Sequence, residues 1–168
     1  MSDLLSKRKS FVFLSLLCFS LADVRDGLGP FLGVYLQGEG WRPDEIGFIM
    51  SAGGLAGLVC TTPLGALADY TRHKRSLLAF SILLIVIACG IIFFWSGALA
   101  ATGSKVLSCA AAAAIMPSLT GITLGMTGQK DFPARLGRNE AWSHAGNAAT
   151  ALLGGIIGYP LVFQASSW

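Results

Sequence analysis

Leu64-Gly65-Ala66-Leu67-Ala68-Asp69-Tyr70-Thr71-Arg72-His73-Lys74-Arg75 takes the chain from a long apolar run into a dense cluster of charge. Asp69 stands at the edge of the apolar segment, and Arg72, His73, Lys74 and Arg75 follow it closely. A single acid at the mouth of an apolar helix, facing a short basic loop, is the pattern of a helix leaving a membrane. The rest of the chain is placed relative to this exit.

Composition supports the placement. Of 168 residues, 54% are hydrophobic and 12% charged, against about 25% charged in a soluble domain. The net charge of +3 is too small to point to nucleic acid. Cys18, Cys60, Cys89 and Cys109 form no CxxC pair and read as small hydrophobic residues. Two histidines supply a metal site poorly, so no metal and no cofactor is expected. There is no GxxxxGK[ST] stretch, no HExxH spacing and no nucleophile–base pair, so the reading is not an enzyme.

Apolar runs long enough to cross a roughly 30 Å hydrocarbon core predict an all-α polytopic membrane helical bundle, a single membrane domain over residues 1–168. Five spans are expected, at 11–36, 44–70, 77–99, 105–128 and 139–162. The first carries Asp23, Arg25 and Asp26 near its middle, beside Gly27, Gly29 and Pro30. The second has Asp44 as its expected N-cap, a small-residue face (Ser51, Gly53, Gly54, Gly57) and Pro63 to bend its last third. The third is almost purely apolar and is expected to face lipid. A turn at 97–104 leads to Lys105 at the outer end of the fourth, which holds Pro117 and the Gly121/Gly125 pair. A polar inner loop, 129–138, carries Lys130, Arg135 and Arg138. The fifth span opens with Asn139, Glu140, Trp142, Ser143, His144 and Asn147 and contains Gly154 and Gly158.

The basic residues give an orientation. Lys7, Arg8 and Lys9 precede the first span; Arg72, Lys74 and Arg75 follow the second; Lys130, Arg135 and Arg138 follow the fourth. The loops after the first and third hold one each, Arg42 and Lys105. By the positive-inside rule the N-terminus is cytoplasmic, in a multi-pass protein of a bacterial-type inner cell membrane.

Gly65 to Asp69 and the basic cluster, lying between the second and third helices of an N-inside bundle, resemble the signature loop of the major facilitator superfamily. That pattern is a Gly, an Asp four residues later, a basic residue, a second Gly and further basic residues. Tyr70 replaces the first basic residue, Arg72 stands at the second Gly and His73 takes a basic position; Lys74 and Arg75 fit. Asp23-Val24-Arg25-Asp26-Gly27-Leu28-Gly29-Pro30-Phe31, and Arg135-Leu136-Gly137-Arg138-Asn139-Glu140 running on to His144-Ala145-Gly146-Asn147, resemble bacterial facilitator-type permeases. The resemblance implies a partial N-terminal half of a facilitator-type transporter fold, with a missing second transporter half as its partner. The implied activity is secondary transport of an unknown small solute across the lipid bilayer by alternating access. It also implies that Asp69, with Gly65, Arg72, Lys74 and Arg75, forms a conformational latch on the cytoplasmic loop. The arginine that proton-driven drug exporters carry in helix four is absent, so drug efflux in particular is not expected.

Two further sets are candidates for solute transport and proton coupling. Asp23 and Asp26 share a helix face at i,i+3 spacing, with Arg25 pointing elsewhere. Charges at mid-membrane depth are functional by default, and a carboxylate in a low-dielectric, partly wet cavity is poised to take a proton. Glu140, His144 and Asn147, at i, i+4 and i+7, stack on one face, where a carboxylate beside an imidazole suits proton exchange. The bland alternative is an ion pair that fixes packing in the first set, and helix-dipole and neighbour contacts in the second. The glycine pairs Gly53/Gly57, Gly121/Gly125 and Gly154/Gly158 read as packing devices. The rival to transport is a truncated non-transporting membrane protein, or a small subunit that packs against other membrane helices.

Overall fold

The computed structural model describes the backbone of residues 2–25, 29–95 and 97–165, and their side chains except at 2–8, 23, 25, 29–31, 154 and 157–165. The described chain is helical throughout, in six elements: α1 (Ser2–Arg25), α2 (Gly29–Gly38), α3 (Pro43–Tyr70), α4 (Lys74–Phe94), α5 (Ala98–Ala112) and α6 (Ile115–Ala165). Among the described residues, Pro43–Tyr70, Lys74–Phe94 and Ala98–Leu153 are long and apolar enough to cross a membrane, and Lys9–Ala22 is a shorter apolar helical stretch. The chain divides into two compact units, one of residues 24–133 and one of residues 1–23 with 134–168.

In the unit 24–133, α3 starts one residue ahead of the expected cap. Arg42 is extended (φ −72°, ψ 145°), and Pro43 takes the first helical position, where its missing N–H costs nothing. The Glu45 carboxylate accepts the Arg42 N–H at 3.1 Å. Asp44 lies inside the first turn and pairs with Arg42 at 3.2 Å. The acid expected to cap the helix therefore sits within it, where its charge still favours the helix dipole.

The α5 helix begins at Ala98, so the residues expected as a turn at 97–104 are largely helical and Lys105 lies in mid-helix. Its buried face is Ala101, Ser104, Lys105, Ser108 and Ala111. This narrow face packs against both α3 and α4. Small side chains are what allow helices to approach closely in a membrane, where lipid competes for every apolar contact. Ser104 donates its hydroxyl across to the Ala88 carbonyl at 2.5 Å, and both residues are fully buried. The remaining face of α4 points outward, with Phe80, Leu83, Val86 and Phe93 all exposed, as suits contact with lipid. Near the opposite end of α3, Leu32 and Leu36 of α2 join Ile49 and Ala101 in an apolar cluster, with Trp41 and Ile92 packed on it.

The run expected as one span from Lys105 to Gly128 is divided at Ala113–Ala114. Pro117 lies in the first turn of α6 and cannot supply the N–H that would bond the Ala113 carbonyl. Along the first limb of α6 the polar side chains are satisfied within the helix. Ser118 donates to the Ala114 carbonyl at 2.7 Å, Thr123 to Leu119 at 2.8 Å and Thr127 to Thr123 at 2.9 Å. The helix then turns at Gly128 (φ 70°, ψ 174°), a backbone region open essentially to glycine alone. Residues 129–138, expected as a loop, are helical on the far side of this hinge.

In the unit of residues 1–23 and 134–168, α1 packs against the second limb of α6. Leu14, Ser15, Cys18, Leu21 and Ala22 form the buried face of α1. The crossing is closest at Gly146, where a Cβ would overlap the Phe19 carbonyl oxygen and lie 2.9 Å from the Ala22 Cβ. Phe19 and Trp142 meet edge-to-face beside it, with ring centroids 6.3 Å apart.

Candidate functional site

A helix end leaves backbone carbonyls without partners, and a cation nearby both satisfies them and opposes the dipole. At the end of α3 this is done by Lys74, whose ammonium donates to the Ala68 carbonyl. The Lys74 stem is accommodated by α6, because a Cβ at Gly121 would lie 2.6 Å from Lys74 Cδ and 2.8 Å from Cε. One basic residue of the loop thus ties α3, the start of α4 and α6 together. Arg72, His73 and Arg75 are exposed, and Tyr70 is 92% exposed. Gly65 has open space where a side chain would stand, so packing within this unit does not demand glycine there.

Asp69 is exposed on the last turn of α3 and makes no ion pair among the described residues. It lines one part of a groove of about 790 Å³ bounded by α3, α5 and the first limb of α6. Gly53 and Gly57 of α3, Cys109 of α5 and Thr120 of α6 are among its other lining residues. The two glycines let α5 lie close: a Cβ built at Gly53 would stand 3.2 Å from Cys109 Sγ, and one at Gly57 would be in ordinary contact with its Cβ at 3.6 Å. Thr61 also lines the groove, with its hydroxyl donated back to the Gly57 carbonyl at 2.7 Å. The surface is therefore mostly apolar, with hydroxyls and one carboxylate.

Lys105 lies beside this groove. It is 6% exposed, and its stem crosses α3 at Gly53, where a Cβ would lie 2.6 Å from Lys105 Cγ. Read as the end of an outer turn, its depth was missed; the Ala- and Ser-rich composition on both sides continues the helix through it.

In the other unit, Glu140 and Asn147 are half-buried and His144 is exposed. The face turned toward α1 is the neighbouring one: Arg135, Asn139, Ser143 and Gly146 are all buried. Arg135 was expected in an inner loop. It is 8% exposed, and it donates to the Phe11 carbonyl and to Ser15 Oγ, the latter at 2.7 Å. Its guanidinium also lies over the Phe11 ring, 5.0 Å from the centroid. Its Nε is buried with no hydrogen-bond partner among the described residues. The signal was present in the spacing i, i+4, i+8 and i+11 of these four residues, opposite Ser15, Cys18 and Ala22. A run of charge next to a glycine hid it. Asp23, Arg25 and Asp26 lie outside the residues whose side chains are described, as do Gly154 and Gly158 of the glycine faces.

Comparison with known proteins bears on what such a bundle does. The profile of the Major Facilitator Superfamily matches residues 11–168. Two curated relatives from Mycobacterium tuberculosis, each named an uncharacterized MFS-type transporter, are similar to the chain, one from strain CDC 1551 / Oshkosh and one from strain ATCC 25618 / H37Rv. Each is 43% identical over 147 residues, which cover 87% of this chain and 35% of the relative. The chain thus spans about a third of the length of the curated relatives it matches. No solved structure matches it significantly. With its apolar helices and a profile match along nearly its whole length, the chain belongs to the major facilitator superfamily of multi-pass membrane transporters.

Proposed function

We propose that the chain is the N-terminal part of a secondary active transporter that carries a small solute across a cell membrane by alternating access, coupled to protons. The observation that carries this reading is the groove bounded by α3, α5 and α6, apolar along its walls and bearing hydroxyls and the Asp69 carboxylate. Such a surface offers a polar solute a few bonding groups on an otherwise slippery wall. A second transporter half, facing it, would complete the cavity near mid-membrane.

In this reading Asp69 is the moving part of a latch at the cytoplasmic end of α3, with Gly65, Arg72 and Arg75 around it. The Lys74 bond to Ala68 supports a fixed role for that lysine: it holds the helix end against which the latch works. Proton exchange is assigned to Asp23 and Asp26, with Arg25 balancing their charge, and to the Glu140, His144 and Asn147 face. The half-exposed setting of that face suits proton traffic with an aqueous vestibule. The N-terminus is assigned to the cytoplasmic side, a reading supported by the excess of Lys and Arg before the first span and after the second and fourth.

The test is solute flux in membrane vesicles containing the full-length protein, driven by an imposed proton gradient. Flux that rises with the gradient is the expected result. Flux indifferent to it removes proton coupling, and an Asp26→Asn variant with unchanged rate and pH dependence removes Asp26 from the coupling path.

A further inference from the structure

At the Pro43 end of α3, opposite the basic loop, a cavity of about 410 Å³ opens between α3 and the start of α5. Trp41 lines it together with Asp44, Glu45 and Phe48 from the first turns of α3, and α5 contributes Leu99 and Thr102. It shares no lining residue with the groove assigned to transport. Its size falls in the range of small-molecule sites, about 300–1,000 Å³.

The charge at this end is negative. Asp44 is paired with Arg42, whereas Glu45 accepts the Arg42 N–H and has no ion pair among the described residues. Glu39 borders a smaller recess that also uses Trp41 as a wall. Residues 39–45 thus carry Glu39, Asp44 and Glu45 against a single cation, Arg42. That excess outweighs the partial positive charge, about half a unit, at the start of a helix. The basic loop lies beyond the 28 residues of α3, roughly 40 Å away and several Debye lengths distant.

The walls decide which cation suits the cavity. A metal ion needs a cage of several oxygens, and among the described residues no three acids, histidines or cysteines are grouped to hold one. Aromatic faces instead attract a bulky, weakly hydrated organic cation. Trp41 is packed on the cluster of Leu32, Leu36 and Ile49, so one aromatic wall is anchored in the fold. Phe48 supplies the second ring and is 70% exposed. Capping explains the contact of Glu45, and packing that of Trp41, but neither explains why both border one cavity with a second aromatic ring.

We infer that this cavity binds a small organic ammonium ion, either a soluble amine or the ammonium headgroup of a phospholipid. The ammonium lies against Trp41 and Phe48 with Glu45 as its counter-charge, and Leu99 and Thr102 border the rest of the ligand. The site is separate from the transport reading and stands or falls without it.

The experiment is calorimetric titration of the full-length protein in a neutral maltoside detergent, with choline as the probe and dimethylbutanol as its uncharged isostere. Choline is expected to bind about tenfold tighter than the alcohol. Glu45→Gln keeps a carbonyl oxygen for the Arg42 N–H, and Phe48→Leu replaces an exposed ring, so both variants are expected to keep the parent melting temperature. They should weaken choline binding about fivefold and about threefold respectively. The same titration in nanodiscs separates the two sources. Weaker choline binding in phosphatidylethanolamine than in phosphatidylglycerol discs assigns the site to a lipid headgroup, and equal binding assigns it to soluble amines; both results retain the ammonium site. Equal affinity for choline and the alcohol, choline binding unchanged in both variants, or no choline binding in detergent overturns the inference.

Discussion

Arg135 donates to Ser15 Oγ at 2.7 Å, joining the second limb of α6 to α1 through a side chain that sequence alone would assign to a loop. The same guanidinium nitrogen also reaches the Phe11 carbonyl, and the ring of Phe11 lies beneath it. Arg135→Met keeps most of the stem but removes both bonds and the cation–π contact. It is expected to destabilise the protein by about 2–3 kcal/mol, the range for bonds to a charged, buried group. Ser15→Ala should cost less, about 1 kcal/mol. A double-mutant cycle on thermal unfolding in detergent checks the pair; a coupling energy near zero would mean that the contact carries no stability.

Two glycines permit close crossings, and they should respond differently to alanine. At Gly146 the added Cβ meets backbone, the Phe19 carbonyl, which cannot move without shifting α1. At Gly53 it meets the flexible stem of Lys105. Gly146→Ala is expected to lose about 1–3 kcal/mol, as overpacked cores do, and Gly53→Ala clearly less. Equal losses measured side by side would contradict the distinction.

The Gly128 hinge has a backbone conformation that an alanine adopts only under strain. Gly128→Ala is expected to cost on the order of 1–3 kcal/mol, with little change in helical content by circular dichroism. A variant as stable as the parent would show that the hinge is free to rearrange.

Asp69 is exposed, so its replacement should hardly touch folding. Asp69→Asn is expected to leave the melting temperature within a degree or two and to reduce transport by about tenfold, a loss of roughly 1.4 kcal/mol in the conformational step. Lys74→Met should show the opposite balance, with lower stability from the lost Ala68 contact and the vacated notch at Gly121. Unchanged transport in Asp69→Asn would remove the latch.

Orientation is checked by labelling single cysteines in intact cells with a membrane-impermeant maleimide, in a background lacking the four native cysteines. Gly40→Cys, in the exposed turn between α2 and α3, is expected to react from outside. Arg72→Cys, exposed in the basic loop, should react only after the membrane is opened. The reverse pattern would invert the topology.

The helical, membrane-embedded character of the chain was legible without coordinates, because apolar length and charge placement are set residue by residue against water and lipid. Helix α3 covers Pro43–Tyr70 and α4 covers Lys74–Phe94, over the stretches where apolar length alone places spans at 44–70 and 77–99. What escaped were features settled by neighbours. Whether a polar stretch such as 129–138 is a loop or a helix depends on a partner that can bury its polar groups, and α1 supplies that partner with Ser15 and the Phe11 carbonyl. The depth of Lys105 likewise depends on a glycine fifty-two positions away in the chain. The loop Gly65–Arg75 declared the family from local pattern alone. Only the tertiary structure decided that Lys74, among its basic residues, turns inward, because that choice rests on a carbonyl left over at the end of α3 and a notch in α6.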